Sequence, residues 1–206
     1  QQEIYEMQKG EEVHLSGLEL LMVMLAGVSL PRPKYNKMMK DLIAALKAVG
    51  PRIKPKVRLL YTGGHADNPE FFELLQQNDA HVVSDNTGFG TRAADVLIRE
   101  DGDPLEAIID YYFEEKPAAT RQMGTQVERM ERLLDLVKQY KADGVVASRL
   151  YMCDLWAFEH FLMRKRLHEN NVPFLELEVD YTPEGQGQIK TRVQAFVESL
   201  ADRQTA

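Results

Sequence analysis

The sequence predicts an α/β domain built on a four-stranded parallel doubly wound sheet and preceded by a helical segment. Three observations predict it. Four apolar runs of strand length, 57–61, 81–84, 145–151 and 174–179, punctuate the chain. Stretches with helical periodicity separate them. Such alternation demands parallel pairing with right-handed crossovers, and the expected strand order is 2-1-3-4.

The elements follow in order. Ser16, Gly17, Leu18 and Glu19 fit a capping box, and the helix it opens runs to about residue 26. That helix is apolar on nearly all faces, so it should be buried on all sides. Pro31 and Pro33 then break the chain. A second helix, 34–49, presents Met38, Leu42, Ile43, Leu46 and Val49 on one face, and Gly50-Pro51 ends it. After the first strand, Asn68-Pro69 starts a helix to about residue 77, with proline where its missing N–H costs nothing. The second strand leads into a loop, 85–92. Asp103-Pro104 opens a helix to about residue 114. A long amphipathic helix, 125–142, carries Val127, Met130, Leu133, Leu134, Val137 and Tyr140 at near-helical spacing. The third strand, a helix over 154–170, the fourth strand and a last helix, 188–203, complete the chain. Residues 1–56 read as a helical segment packed on the domain 57–206. The absence of a starting methionine suggests a piece of a larger subunit.

Composition narrows the function classes. A net charge of −7 argues against nucleic-acid binding, which needs a basic face. The most apolar run, 20–28, is far short of the roughly 20 residues that span a bilayer, so no membrane role is expected. A single cysteine excludes a disulfide framework and suits a reducing, cytoplasmic setting.

In a parallel sheet every strand-to-helix loop opens on one edge, where ligands gather. Here those loops are 62–68, 85–92, 151–154 and 180–187. Gly63-Gly64 lets backbone amides approach a ligand, although a glycine pair more often marks a tight turn. Gly88-Phe89-Gly90-Thr91-Arg92 offers a phosphate or carboxylate site through Arg92, but its spacing is not the dinucleotide fingerprint. Gly185-Gln186-Gly187 is a similar approach, and Arg192 follows in the last helix. His65 is a candidate acid or base, although a lone loop histidine also serves as a surface or capping residue. Trp156, Phe158, Phe161 and Leu162 read as one packed helical face, with Glu159 and His160 turned to solvent or a partner chain. Cys153 stands at a strand's carboxyl end and a helix's amino end, where a thiolate is favoured. The competing reading is a small buried hydrophobe.

Three phrases carry a resemblance: Tyr61-Thr62-Gly63-Gly64-His65-Ala66-Asp67-Asn68-Pro69-Glu70-Phe71; Cys153-Asp154-Leu155-Trp156-Ala157-Phe158-Glu159; and Leu177-Glu178-Val179-Asp180-Tyr181 with the Gly187 to Phe196 stretch. From Ser16 onward the chain resembles the carboxyl-terminal half of a benzoyl-CoA reductase or 2-hydroxyacyl-CoA dehydratase catalytic subunit. The resemblance implies two α/β lobes and a heterodimer with a related subunit. It implies a [4Fe-4S] cluster held by three cysteines, two of them in an amino-terminal lobe and the third matching Cys153. A separate ATP-hydrolysing iron-sulfur activator would supply low-potential single electrons, so ATP is used there and not by this chain. The substrate implied is a CoA thioester. The family pattern carries a further cysteine, not a cluster ligand, in the loop where this chain has Gly88, and its absence bears on the subtype. Gly64 to Pro69 leans toward the reductase branch, with dehydration as the alternative. A cluster-free, flavodoxin-like structural or binding subunit is the reading from another class.

Overall fold

The computed structural model describes residues 1–64, 69–77, 79–180 and 186–205. Four strands, β1 (Val57–Gly63), β2 (Ala80–Asn86), β3 (Gly144–Leu150) and β4 (Phe174–Val179), form one sheet in the order β2-β1-β3-β4. Every pairing in it is parallel. The order and polarity are those expected. All seven residues of central β1 are buried, as a strand covered on both faces requires.

Helices cover both faces. On one side, α7 (Gln126–Gln139) and α8 (Asp154–Glu169) bury Met130, Leu133, Met163 and Leu167 against Leu60, Val145 and Ala147. On the other, α4 (Pro69–Gln76) and α9 (Gln186–Thr205) bury Phe72, Leu75, Val193 and Leu200 against Leu59, Tyr61, Val146 and Leu177. Fully burying one such side chain is worth about 1.5–3 kcal/mol.

Three short or early helices, α1 (Gln2–Glu6), α2 (Gly17–Ser29) and α3 (Arg32–Val49), precede the sheet. The predicted capping box is present: Glu19 N donates to Ser16 Oγ at 3.3 Å and Ser16 N donates to Glu19 Oε2 at 2.8 Å. Arg52 adds an ion pair to Glu19. Helix α2 is not buried on all sides. Leu20, Leu21 and Met24 are covered, but Met22 and Val28 face outward. Helix α3 begins earlier than expected because Pro33 fits its first turn. Its buried stripe is Tyr35, Met39 and Leu46, and Met38 and Val49 are exposed. Taking Met38 in place of its neighbour Met39 rotates the expected face by one residue, about 100° on a helix.

Beyond β2 lies a four-residue helix, α5 (Thr91–Ala94). Asp103 caps α6 (Pro104–Asp110) by accepting from Leu105 N at 2.7 Å and Glu106 N at 3.2 Å. The single helix expected to residue 114 instead ends in a π-helical turn, Tyr111–Glu115, closed by Lys116 N to Tyr111 O at 2.7 Å.

Two glycines fix the carboxyl edge of the sheet. Gly63 has φ +140°, and a Cβ there would lie 2.1 Å from Ser148 O on β3. A Cβ on Gly64 would lie 2.2 Å from the Trp156 indole nitrogen on α8. Gly64→Ala should therefore push the indole aside and cost about 1–3 kcal/mol by overpacking. Trp156 is the sole tryptophan. A shifted emission maximum and a lowered urea midpoint are expected, and unchanged fluorescence would show that this contact does not exist.

Candidate functional site

Parallel strands send the ends of β1, β2, β3 and β4 to one edge. There, Tyr151 N donates to Val179 O at 2.9 Å and Gly64 N to Ser148 O at 3.2 Å, so adjacent strand ends are joined. Gly63 and Gly64, Gly88 and Arg92, and Cys153 stand at the ends of β1, β2 and β3 on this edge. Gln186 is the first residue of α9. Arg192 donates to Glu176 O at 2.6 Å and so ties α9 to β4. His65 and Gly185 lie outside the described residues.

Cys153 is the N-cap residue of α8 and is partly exposed. Its side chain makes no capping bond, so the sulfur is not committed to closing the helix. Met152 before it has φ +62°, a left-handed conformation that a long side chain seldom adopts. Local strain of this kind collects at functional sites. Tyr151, Met152, Leu155, Phe158 and Phe161 form an exposed apolar apron from the Cys153 loop along α8.

The loop after β2 is built around a buried carboxylate. Asp85 Oδ1 accepts from Thr87 N at 2.8 Å, Thr87 Oγ1 at 2.7 Å and Thr91 N at 3.3 Å. The Tyr5 hydroxyl donates to Asp85 Oδ2. Burial pushes the Asp85 carboxyl above its ordinary range despite these donors, and it pushes the Tyr5 hydroxyl up as well. Thr91 Oγ1 donates to Asp85 O at 2.6 Å and Gly90 N to Thr87 Oγ1 at 3.1 Å, which closes the loop. Arg132 on α7 reaches the same loop, donating to Asn86 Oδ1 at 3.3 Å, Thr91 Oγ1 at 3.1 Å and Asp95 Oδ2 at 2.6 Å.

Behind it, Arg129 and Glu159 join α7 to α8 by two parallel bonds, Nε to Oε1 at 2.7 Å and Nη2 to Oε2 at 2.8 Å. Arg129 Nη1 also holds the 119–125 segment through Ala119 O, Gln122 O and Thr125 Oγ1. Glu159 and His160 were expected at a solvent or partner face. They are instead 2% and 0% exposed, while Phe158 and Phe161 are 60% and 58% exposed. The buried stripe of α8 is Trp156, Glu159, His160, Met163 and Leu167, at steps of three and four residues. That spacing is readable from the sequence. The polar character of Glu159 and His160 hides it.

His160 stacks edge-on between Trp156 and Phe174, with ring centroids 6.0 and 6.2 Å away. Its Nδ1 is 3.5 Å from Glu176 Oε1, and neither ring nitrogen has a hydrogen bond among the described residues. Burial lowers its pKa below the ordinary histidine value, with Glu176 opposing and the Arg149 and Arg164 charges assisting. The fold therefore binds the proton less well than the unfolded chain. Stability is full above the unfolded pKa of 6.5 and is lost as pH falls below it. His81 is lowered in the same way by burial and shares the window. His160→Leu should flatten part of the fall in urea midpoint between about pH 7 and 5.5, and an unaltered slope would remove His160 from the account.

Among the described residues there is no group of three His, Cys, Asp or Glu side chains able to hold a metal. A three-thiolate cluster therefore does not fit this chain alone: Cys153 is one ligand at most. No described helix is long and apolar enough to cross a membrane.

Residues 1–200 match the family model described as 2-hydroxyglutaryl-CoA dehydratase, D-component. The putative dehydratase subunit YjiM of Escherichia coli (strain K12) is 30% identical over 156 residues, 73% of this chain and 39% of that one. The (R)-phenyllactyl-CoA dehydratase beta subunit of Clostridium sporogenes is 24% identical over 182 residues, 86% of this chain and 47% of that one. A benzoyl-CoA reductase subunit of Thauera aromatica is 21% identical over 202 residues, 97% of this chain and 52% of that one. The chain spans about half the length, or less, of these curated relatives.

Proposed function

The chain belongs to the 2-hydroxyglutaryl-CoA dehydratase D-component family, and from that premise we propose that it is part of a catalytic subunit acting on CoA thioesters. The observation that carries this is the position of Cys153, a partly exposed thiol at the amino end of α8, beside a strained residue and on the ligand edge of the sheet. The relatives are named as dehydratase and reductase subunits, so the chain belongs to an enzyme family.

In this reading Cys153 is one ligand of a [4Fe-4S] cluster, and the remaining thiolates come from outside these residues. Such a cluster, when bound, supplies single electrons. The chain's own residues do the rest. Gly63 and Gly64 seat the end of β1 against Ser148 and Trp156, and Gly88 leaves room for the Arg92 guanidinium. In this reading the backbone of these three glycines and the Arg92 cation form the face that meets the thioester. Gln186, Arg192 and His65 complete the proposed set, with His65 as acid or base. Asp85, Arg132 and the Arg129–Glu159 pair hold these loops in place.

Two chemistries remain. Dehydration of a 2-hydroxyacyl-CoA is favoured by the dehydratase names among the relatives. Aromatic ring reduction is favoured by the Gly64 to Pro69 phrase and by the benzoyl-CoA reductase match, which covers 97% of this chain. The proposed partners are a related subunit and an ATP-hydrolysing iron-sulfur activator, and the proposed setting is cytoplasmic. The exposed apron beside Cys153 suits a contact between protein chains. Assaying the assembled, activator-reduced enzyme with a 2-hydroxyacyl-CoA and with benzoyl-CoA separates the chemistries. Turnover of neither, in a protein free of iron, would favour a structural role.

A further inference from the structure

Arg92 is the cation in the loop cluster that the fold leaves without a partner. Among the described residues its guanidinium has no hydrogen bond and no ion pair, although it is half-buried. The carboxylates around it are committed. Glu159 is held by both forks of Arg129, Asp95 by Arg132, and Asp85 by Tyr5, Thr87 and Thr91. Arg92 thus feels attraction from Asp85 and Glu159 without touching either, and repulsion from Arg132 and Arg129. Burial pushes its pKa down, with Asp85 and Glu159 opposing. One fork lies over Gly88: a Cβ there would be 3.3 Å from Nη2, so a larger residue would displace the guanidinium. A partly desolvated, unpaired guanidinium is costly unless an anion completes it. Its planar fork suits a carboxylate or phosphate, and it stands on the sheet edge where α/β ligands bind.

We infer that Arg92, seated over Gly88, is the receptor for an anionic oxygen group, carboxylate or phosphate, of the molecule that binds at this edge of the sheet. The identity of that molecule rests on the CoA-thioester reading above, whereas the receptor itself rests on the geometry. A CoA thioester offers two sources, a carboxylate on its acyl chain and the phosphates of CoA.

The first test uses the full 206-residue chain. Inorganic phosphate and glutarate are titrated at constant ionic strength, while NMR follows the arginine Nε–H and the amides of residues 87–92. Saturable shifts are expected with at least one probe, weakened about tenfold or more in Arg92→Gln. The exposed-site control Arg166→Gln should leave them unchanged. Gly88→Val, which keeps the charge but fills the space beneath the fork, should weaken them too, and it serves if Arg92→Gln does not fold. No saturable shift, or shifts that survive both variants, overturns the receptor.

The second test uses the assembled enzyme with acyl-CoA and acyl-pantetheine thioesters, each with and without a distal carboxylate. A rise of about tenfold in KM in Arg92→Gln confined to carboxylate-bearing acyl groups assigns the acyl chain. A rise confined to the CoA forms assigns the phosphates. Unchanged KM for all four thioesters removes Arg92 from substrate recognition. If the wild-type enzyme turns over nothing, the functional reading fails and the first test still decides the receptor.

Discussion

Cys153→Ser in the assembled enzyme is expected to lose cluster iron and to abolish activator-dependent turnover, while the domain still folds. Serine is close in size to cysteine, and the N-cap position of α8 accepts it well, since serine is among the preferred capping residues. Packing around residue 153 changes little, because the thiol is only partly buried and makes no capping bond. Stability should therefore hold or rise by a few tenths of a kcal/mol. A hydroxyl, however, is a poor cluster ligand beside a thiolate. Iron per complex, visible cluster absorbance and turnover are the readouts, with circular dichroism as the folding check. Full iron with full activity in Cys153→Ser would reduce Cys153 to a helix-start residue, and the site assignment would have to move elsewhere.

Breaking the Arg129–Glu159 pair is expected to be the costliest single change to stability. Its side chains are 7% and 3% exposed and bond through two nearly parallel contacts. Removing one partner of such a pair leaves a buried charge uncompensated, at about 3–5 kcal/mol. That is a large fraction of the roughly 5–15 kcal/mol typical of a whole domain. Glu159→Gln and Arg129→Met should each lower the urea midpoint sharply. The double replacement Arg129→Met with Glu159→Leu should recover much of the loss, because no charge is then buried. Arg129→Met should also free the 119–125 segment, whose carbonyls it binds, and increase amide exchange there. Single losses below about 1 kcal/mol would mean that the pair is solvated in solution and does not fasten α7 to α8.

Much of this is legible before folding is considered. Apolar runs of strand length and the punctuation between them are local properties, so the strands, their order and the N-caps at Ser16 and Asp103 can be read directly. Cys153 is legible too, because a strand's end and a helix's start are both written in the residues around it. The errors have one cause. Met38 and Met39, or Glu159 and Phe158, are adjacent in sequence but lie on different faces of a helix. Polarity argues for burying the phenylalanines and exposing the glutamate, whereas the neighbours across space decide otherwise. Arg129 offers Glu159 a buried partner, and no local rule reveals a partner 30 residues away.

The sequence by itself determined the class of fold, the edge to which its parallel strands point, the one thiol available there and the family to which these residues belong. The tertiary structure alone decided which charges are satisfied. Burial and pairing are properties of groups brought together from α7, α8 and the β2 loop, and their energies depend on distances that sequence separation does not encode. For that reason Asp85 and Arg132, which build the loop after β2, and His160, on the buried stripe of α8, became visible as structural and electrostatic elements only in the folded chain. For the same reason Arg92, one arginine among several in sequence, stands out as a half-buried cation with no anion of its own among the described residues.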